Sequence, residues 1–68
     1  MSAILKAIDK AGGIAPLAKS LAVSYQAVQR WRNQDHVPAE RVLAVERETG
    51  VPRHELRPDL YPRENGQP

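Results

Sequence analysis

The stretch from Ile14 to Asn33 (IAPLAKSLAVSYQAVQRWRN) constrains the fold more than any other part of the chain. Its apolar residues recur at helical spacing on either side of a short break, which predicts two short helices joined by a tight turn. In the second of these, Val28 and Trp31 are three apart and share one face. Gln26, Gln29, Arg30 and Asn33 stand at i, i+3, i+4 and i+7 on the opposite face. One side of such a rod packs and the other is free to touch something else. A glutamine amide donates and accepts in one plane, which matches adenine N6 and N7, and an arginine fork matches guanine O6 and N7. The outward set therefore suits the major groove of DNA.

At 68 residues the chain has room for one domain, with a core near the lower limit for independent folding. It contains no cysteine, so neither a disulfide nor a thiolate metal site can add stability, and a reducing compartment is compatible with that. The apolar runs are too short for a membrane span and the N-terminus lacks a signal-peptide core, which places the expected location in the cytoplasm.

Net charge is only +2, but it is unevenly spread. Residues 1 to 33 carry Lys6, Lys10, Lys19, Arg30 and Arg32 against Asp9 alone, whereas residues 34 to 68 carry five arginines against seven carboxylates. The basic half holds the outward-reading helix, as a phosphate-facing surface requires. A solvated surface whose asymmetry arose by chance is the alternative that charge alone leaves open.

The remaining elements follow in order. Ser2 is the expected N-cap of a first helix with an apolar stripe of Ile4, Leu5, Ile8 and Ala11, ended by Gly12 and Gly13. Pro16 lies in the first turn of the second helix, with Leu17, Ala18 and Leu21 facing inward. Ala18 matters by being small where two helices cross. Ser24 is the expected N-cap of the third helix, leaving an anion-favouring helix end beside Tyr25 and Gln26. Tyr25 fits base stacking, a phosphate bond or a thymine methyl contact; the alternative is a half-buried core aromatic beside Val28. Trp31 is the expected core anchor. Val37-Pro38 opens a fourth helix that packs through Ala39, Val42, Leu43 and Val45 and ends at Gly50. Its polar positions, Arg41, Glu46, Arg47 and Glu48, read as a solvated face or a partner-facing one. Residues 52 to 62 should add one helical turn and an extended exit, with Leu56, Leu60 and Tyr61 returning to the core. Residues 63 to 68 lack an apolar anchor and are expected to be a disordered tail.

These features resemble the helix-turn-helix domains of phage Cro and repressor proteins, and most closely the YdaS-type prophage regulators, described as antitoxins. The resemblance runs from about Ile4 to Pro62. Ala18 matches the small residue of the first motif helix, Val23 the apolar residue after the turn, and Val28 and Trp31 the two buried positions of the second helix. The turn position that usually carries Gly is Ala22, where a left-handed backbone with a β-carbon costs about 1 kcal/mol. The fold implied is all-α, with four to five short helices in one Cro-like domain over residues 1 to 62.

The residues argue against catalysis. His54-Glu55 begins like H-E-x-x-H, but the fifth position is Pro58, and His36 and His54 without cysteine form no metal-ligand cluster. Ser24 is accounted for as a cap, and Gly12-Gly13 lacks the continuation of a phosphate loop. No cofactor or small-molecule substrate is expected. The expected partner is double-stranded operator DNA, with Tyr25, Gln26, Gln29 and Arg30 reading bases and Lys19, Ser24, Arg32 and Asn33 holding phosphates. A single module buries little DNA, which points to a homodimer on paired half-sites. Two other readings are an antitoxin that masks a toxin protein and a helical adaptor with no nucleic-acid role.

Overall fold

The computed structural model describes residues 2–62. The order is α1 (Ala3–Ala11), α2 (Ile14–Leu21), α3 (Tyr25–Gln34), a 3-10 turn (Ala39–Arg41), α4 (Val42–Thr49) and α5 (Arg53–Leu56). No helix is long and apolar enough to cross a membrane among these residues.

Local chemistry sets the helix ends. The Ser2 hydroxyl accepts from the Leu5 N–H at 3.3 Å and the Ser24 hydroxyl from the Ala27 N–H at 3.1 Å, so both expected N-caps are present. The first three helices then stop in the same way. Gly12, Ala22 and Asp35 each take a left-handed backbone, and the residue after each donates its N–H to a carbonyl five positions back. These bonds are Gly13 to Ile8 at 2.8 Å, Val23 to Ala18 at 3.0 Å and His36 to Trp31 at 3.0 Å, the closing pattern of a Schellman cap. Ala22, at φ 58°, therefore does occupy the strained position anticipated for it.

The core gathers Ile4, Ala7, Leu17, Ala18, Leu21, Val28, Trp31, Val37, Val42, Val45, Val51 and Leu56. α2 packs against α3 to form the two-helix motif, and α1 lies against both α2 and α4. Leu17, Ala18, Leu21, Val28 and Trp31 are buried as expected, and Val23 packs partly buried against them.

Three expectations need correction. In α1 it is Ala7 that is fully buried, while Leu5 is 41% exposed; the small side chain packs and the larger one faces outward. The fourth helix does not start at Pro38. Pro38 instead precedes the 3-10 turn, Arg41 sits at φ −108°, ψ −7°, and α4 begins at Val42. With that phase Val42 and Val45 point inward, Ala39 is exposed and Leu43 is 48% exposed. Leu56 and Tyr61 return to the core, but Leu60 does not. The expected disordered tail, residues 63 to 68, lies outside the described residues.

Two substitutions test this account of stability, both read by chemical denaturation. Trp31→Ala should destabilise by about 3 to 5 kcal/mol, most of what a small domain has. Ala22→Gly should stabilise by roughly 0.5 to 1 kcal/mol, because relief of the left-handed strain exceeds the added entropy of the unfolded chain. No gain at Ala22 would mean that the turn carries no strain.

Candidate nucleic-acid interface

α3 is two-sided. Val28 is fully buried and Trp31 is 5% exposed, so the inner face is locked, whereas Gln26, Arg30 and Asn33 are exposed and Gln29 is partly buried along the outer flank. The side chains of Gln26, Gln29 and Arg30 form no hydrogen bond or ion pair with any described residue. Two amides and a guanidinium thus keep their bonding capacity unused, with Gln26 and Arg30 in solvent and Gln29 partly covered, on a helix whose other side is buried. Tyr25, at the start of α3, is 47% exposed and is not part of the core cluster.

The flanking polar groups keep free donors. Ser24 uses its oxygen as an acceptor for the helix cap, which leaves its own O–H available. Arg32 Nη2 donates to Asn33 Oδ1 at 3.3 Å, so the Asn33 amide retains its N–H groups for an anion. Lys19 and Arg32 are exposed.

Ion pairing sorts the cations. Lys6 pairs with Glu55 at 2.8 Å, Arg47 with Glu48 at 3.5 Å, Arg53 with Glu46 at 2.9 Å and Arg57 with Asp59 at 2.8 Å. Among the described residues Lys10, Lys19, Arg30, Arg32 and Arg41 have no carboxylate partner. Three of these five lie on α2 and α3, where the sequence placed the contacts to DNA. Lys10 and Arg41 join the unpaired set without having been singled out, because pairing depends on which acids the fold brings near. No signal in the sequence identifies that.

A second device holds the exit of α3. The Arg57 guanidinium, mostly buried, donates from Nη1 to the Val37 carbonyl at 2.9 Å, and from Nε and Nη2 to the Asp59 carboxylate at 2.9 and 2.8 Å. Val37 lies in the loop after α3, beyond Asp35 and His36, so the C-terminal segment is fastened to the loop that leaves the outward-reading helix. The hydrogen bonds from Arg57 lower the Asp59 pKa to about 2, helped by a backbone hydrogen bond and by the charges of Arg57 and His36, against opposing desolvation. The Arg57 pKa is raised in turn by the same hydrogen bond.

Among the described residues no group of three or more His, Cys, Asp or Glu is placed to hold a metal ion. The chemistry on offer is directional hydrogen bonding and positive charge.

Because the folded-state Asp59 pKa is depressed from 3.8 to about 2, its stabilising contribution is complete above pH 3.8 and is lost as pH falls towards 2. Carboxyl NMR should show Asp59 titrating near pH 2, and Arg57→Ala should return it towards 3.8. A wild-type midpoint near 3.8 would mean that the clasp is open in solution.

Comparison with known proteins agrees with this geometry. The profile of the family described as "Bacterial toxin YdaS" matches residues 4–65. Among solved structures, the Cro protein from Xfaso 1, an element of Xylella fastidiosa strain Ann-1 classed as prophage, superposes with a TM-score of 0.88 at 45% identity. That match covers 93% of this chain and 100% of the other. No curated protein gives a match. The chain belongs to the YdaS family and has the helix-turn-helix fold of a Cro-like prophage regulator.

Proposed function

We propose that the chain is a sequence-specific DNA-binding transcriptional regulator that sets α3 into the major groove. The observation that carries this reading is the outward, unbonded set Gln26, Gln29 and Arg30 on a helix whose other face is buried. Tyr25, Gln26, Gln29 and Arg30 read base edges, with the glutamines suited to adenine and the arginine to guanine. Lys19, Ser24, Arg32 and Asn33 hold phosphates and set the register without carrying sequence information. The protein acts by binding in the cytoplasm and not by catalysis, as a homodimer on two half-sites about one helical turn apart. Exposed Leu43 and Leu60 supply apolar surface on α4 and the C-terminal segment for such a contact.

A second reading uses the same apolar surface differently. As an antitoxin, the chain would cover a toxin protein with α4 and the C-terminal segment, and DNA binding would be secondary. The family description names a toxin, not an antitoxin, so it lends this direction no weight.

A salt titration on genomic DNA fragments separates the two. With Lys19 and Arg32 neutralising phosphates, log K should fall against log salt with a slope of about −2 per protomer. After selection of the preferred site, the double variant Gln26→Ala, Arg30→Ala should lose about 1 to 3 kcal/mol of discrimination for each residue and keep its helical circular dichroism. Site preference that survived in the folded double variant would move the reading face elsewhere, and a flat salt profile would favour the protein-interaction reading.

A further inference from the structure

Two helical stripes left over from the core match one another. On α1 the outer stripe runs Ser2, Leu5, Asp9 and Gly12, and on α4 with its leading 3-10 turn it runs Glu40, Leu43, Arg47 and Gly50. Both follow the three-four-three spacing of a helix seam. Each stripe has one leucine, 41% exposed at Leu5 and 48% at Leu43. Each has one charge a turn further on, and the charges are opposite. Leu5 borders a shallow groove that it forms with Ile8, Asp9, Gly12 and Gly13. Asp9 is the one carboxylate of residues 1 to 33 and has no ion pair with any described residue. The Arg47 side chain is 73% exposed, and its contact with adjacent Glu48, at 3.5 Å, is the longest of the four ion pairs. Both stripes end on a glycine in the left-handed region, Gly12 and Gly50, which presents no side chain to an approaching helix.

We propose that a second copy of this chain lays its α4 parallel to α1, with Leu43 seated in the groove against Leu5 and Arg47 beside Asp9. At this register Glu40 of the second copy comes to the N-terminal end of α1, where the free N–H groups of the first turn favour a carboxylate. All four pairings share a single offset along the two helices, so no residue of either stripe meets a like charge. The seam spans only about two turns and makes a weak contact, one that DNA would strengthen by holding two copies side by side. In a twofold dimer the seam is made twice, α1 of each protomer on α4 of the other. The inference rests on the homodimer of the preceding reading, keeps Leu43 of α4 in its contact and sets Leu5 of α1 there in place of Leu60; its test is made without DNA, so that it can fail while DNA binding stands.

The experiment is sedimentation equilibrium of the full chain across a wide concentration range, with Asp9→Arg, Arg47→Asp, an equimolar mixture of the two, and the double variant. Wild type should self-associate. Each single variant should sediment as a monomer at concentrations where wild type is paired, because its seam sets like charges together. The mixture and the double variant should both recover association, since each restores an Asp–Arg pair. Circular dichroism checks folding, and Asp9→Asn, which removes the charge without adding one, should weaken association by about threefold to thirtyfold. A wild-type protein that stays monomeric throughout, single variants that associate as wild type does, or a mixture that fails to recover would each overturn the proposal. Binding of the same variants to a single half-site DNA reports separately on the reading helix.

Discussion

The orientation of α3 depends on the burial of Val28 and Trp31 in one core with Leu17, Ala18 and Leu21. A ten-residue helix has little stability of its own in water, so packing decides both whether it forms and which way it faces. Once one side is held, helical periodicity determines the rest: residues three and four apart share a face, and Gln26, Gln29 and Arg30 are carried outward together. The function proposed for those side chains is thus a consequence of what lies behind them. Ala18 belongs to the same constraint, since a larger residue at that buried position would push the two motif helices apart.

What the sequence could show divides along physical lines. Capping residues act locally, so Ser2, Ser24, Gly12 and Gly50 all sit at the helix ends where they were expected. The motif helices were legible because large apolar side chains there coincide with the buried positions. Legibility failed where a small side chain, or a residue outside any helix, does the packing. Ala7 is fully buried, and Val37 and Val51 enter the core from loops in which no periodicity points to them. The phase of α4 departs from the sequence pattern because Pro38 leads into a 3-10 turn and not the α-helix, and three residues of different pitch rotate Leu43 to the surface. That displacement leaves an apolar side chain where a partner could reach it.

Charge behaves in a parallel way. A net charge of +2 understates the electrostatic character of the molecule, because the fold pairs some cations and not others. Three carboxylates of the second half, Glu55, Glu46 and Asp59, sit against Lys6, Arg53 and Arg57, whereas Lys19, Arg30 and Arg32 have no carboxylate partner among the described residues. Exposed pairs of this kind contribute little to stability. Their larger effect is on the shape of the field, which stays positive around the two motif helices. The sequence disclosed the imbalance between halves but not its sharpening, since Lys6 and Glu55 are far apart along the chain.

Among the described residues the only non-glycine positions at positive φ are Ala22 and Asp35, and they bracket α3. Each is locally unfavourable. Ala22 places a β-carbon in a left-handed turn, and Asp35 adds a carboxylate at the negative end of the helix dipole. Such positions persist only where the surroundings over-determine them. Here the closing bonds of Val23 to Ala18 and of His36 to Trp31 tie each turn to a buried residue of the motif, and Arg57 holds the Val37 carbonyl just beyond. Relaxing either turn would ease the local backbone, yet it would also loosen the angle at which α3 leaves its neighbours. The strain and the outward amides therefore belong to one arrangement: the core that aims the helix also anchors its two turns, through the carbonyl of buried Ala18 on one side and that of buried Trp31 on the other.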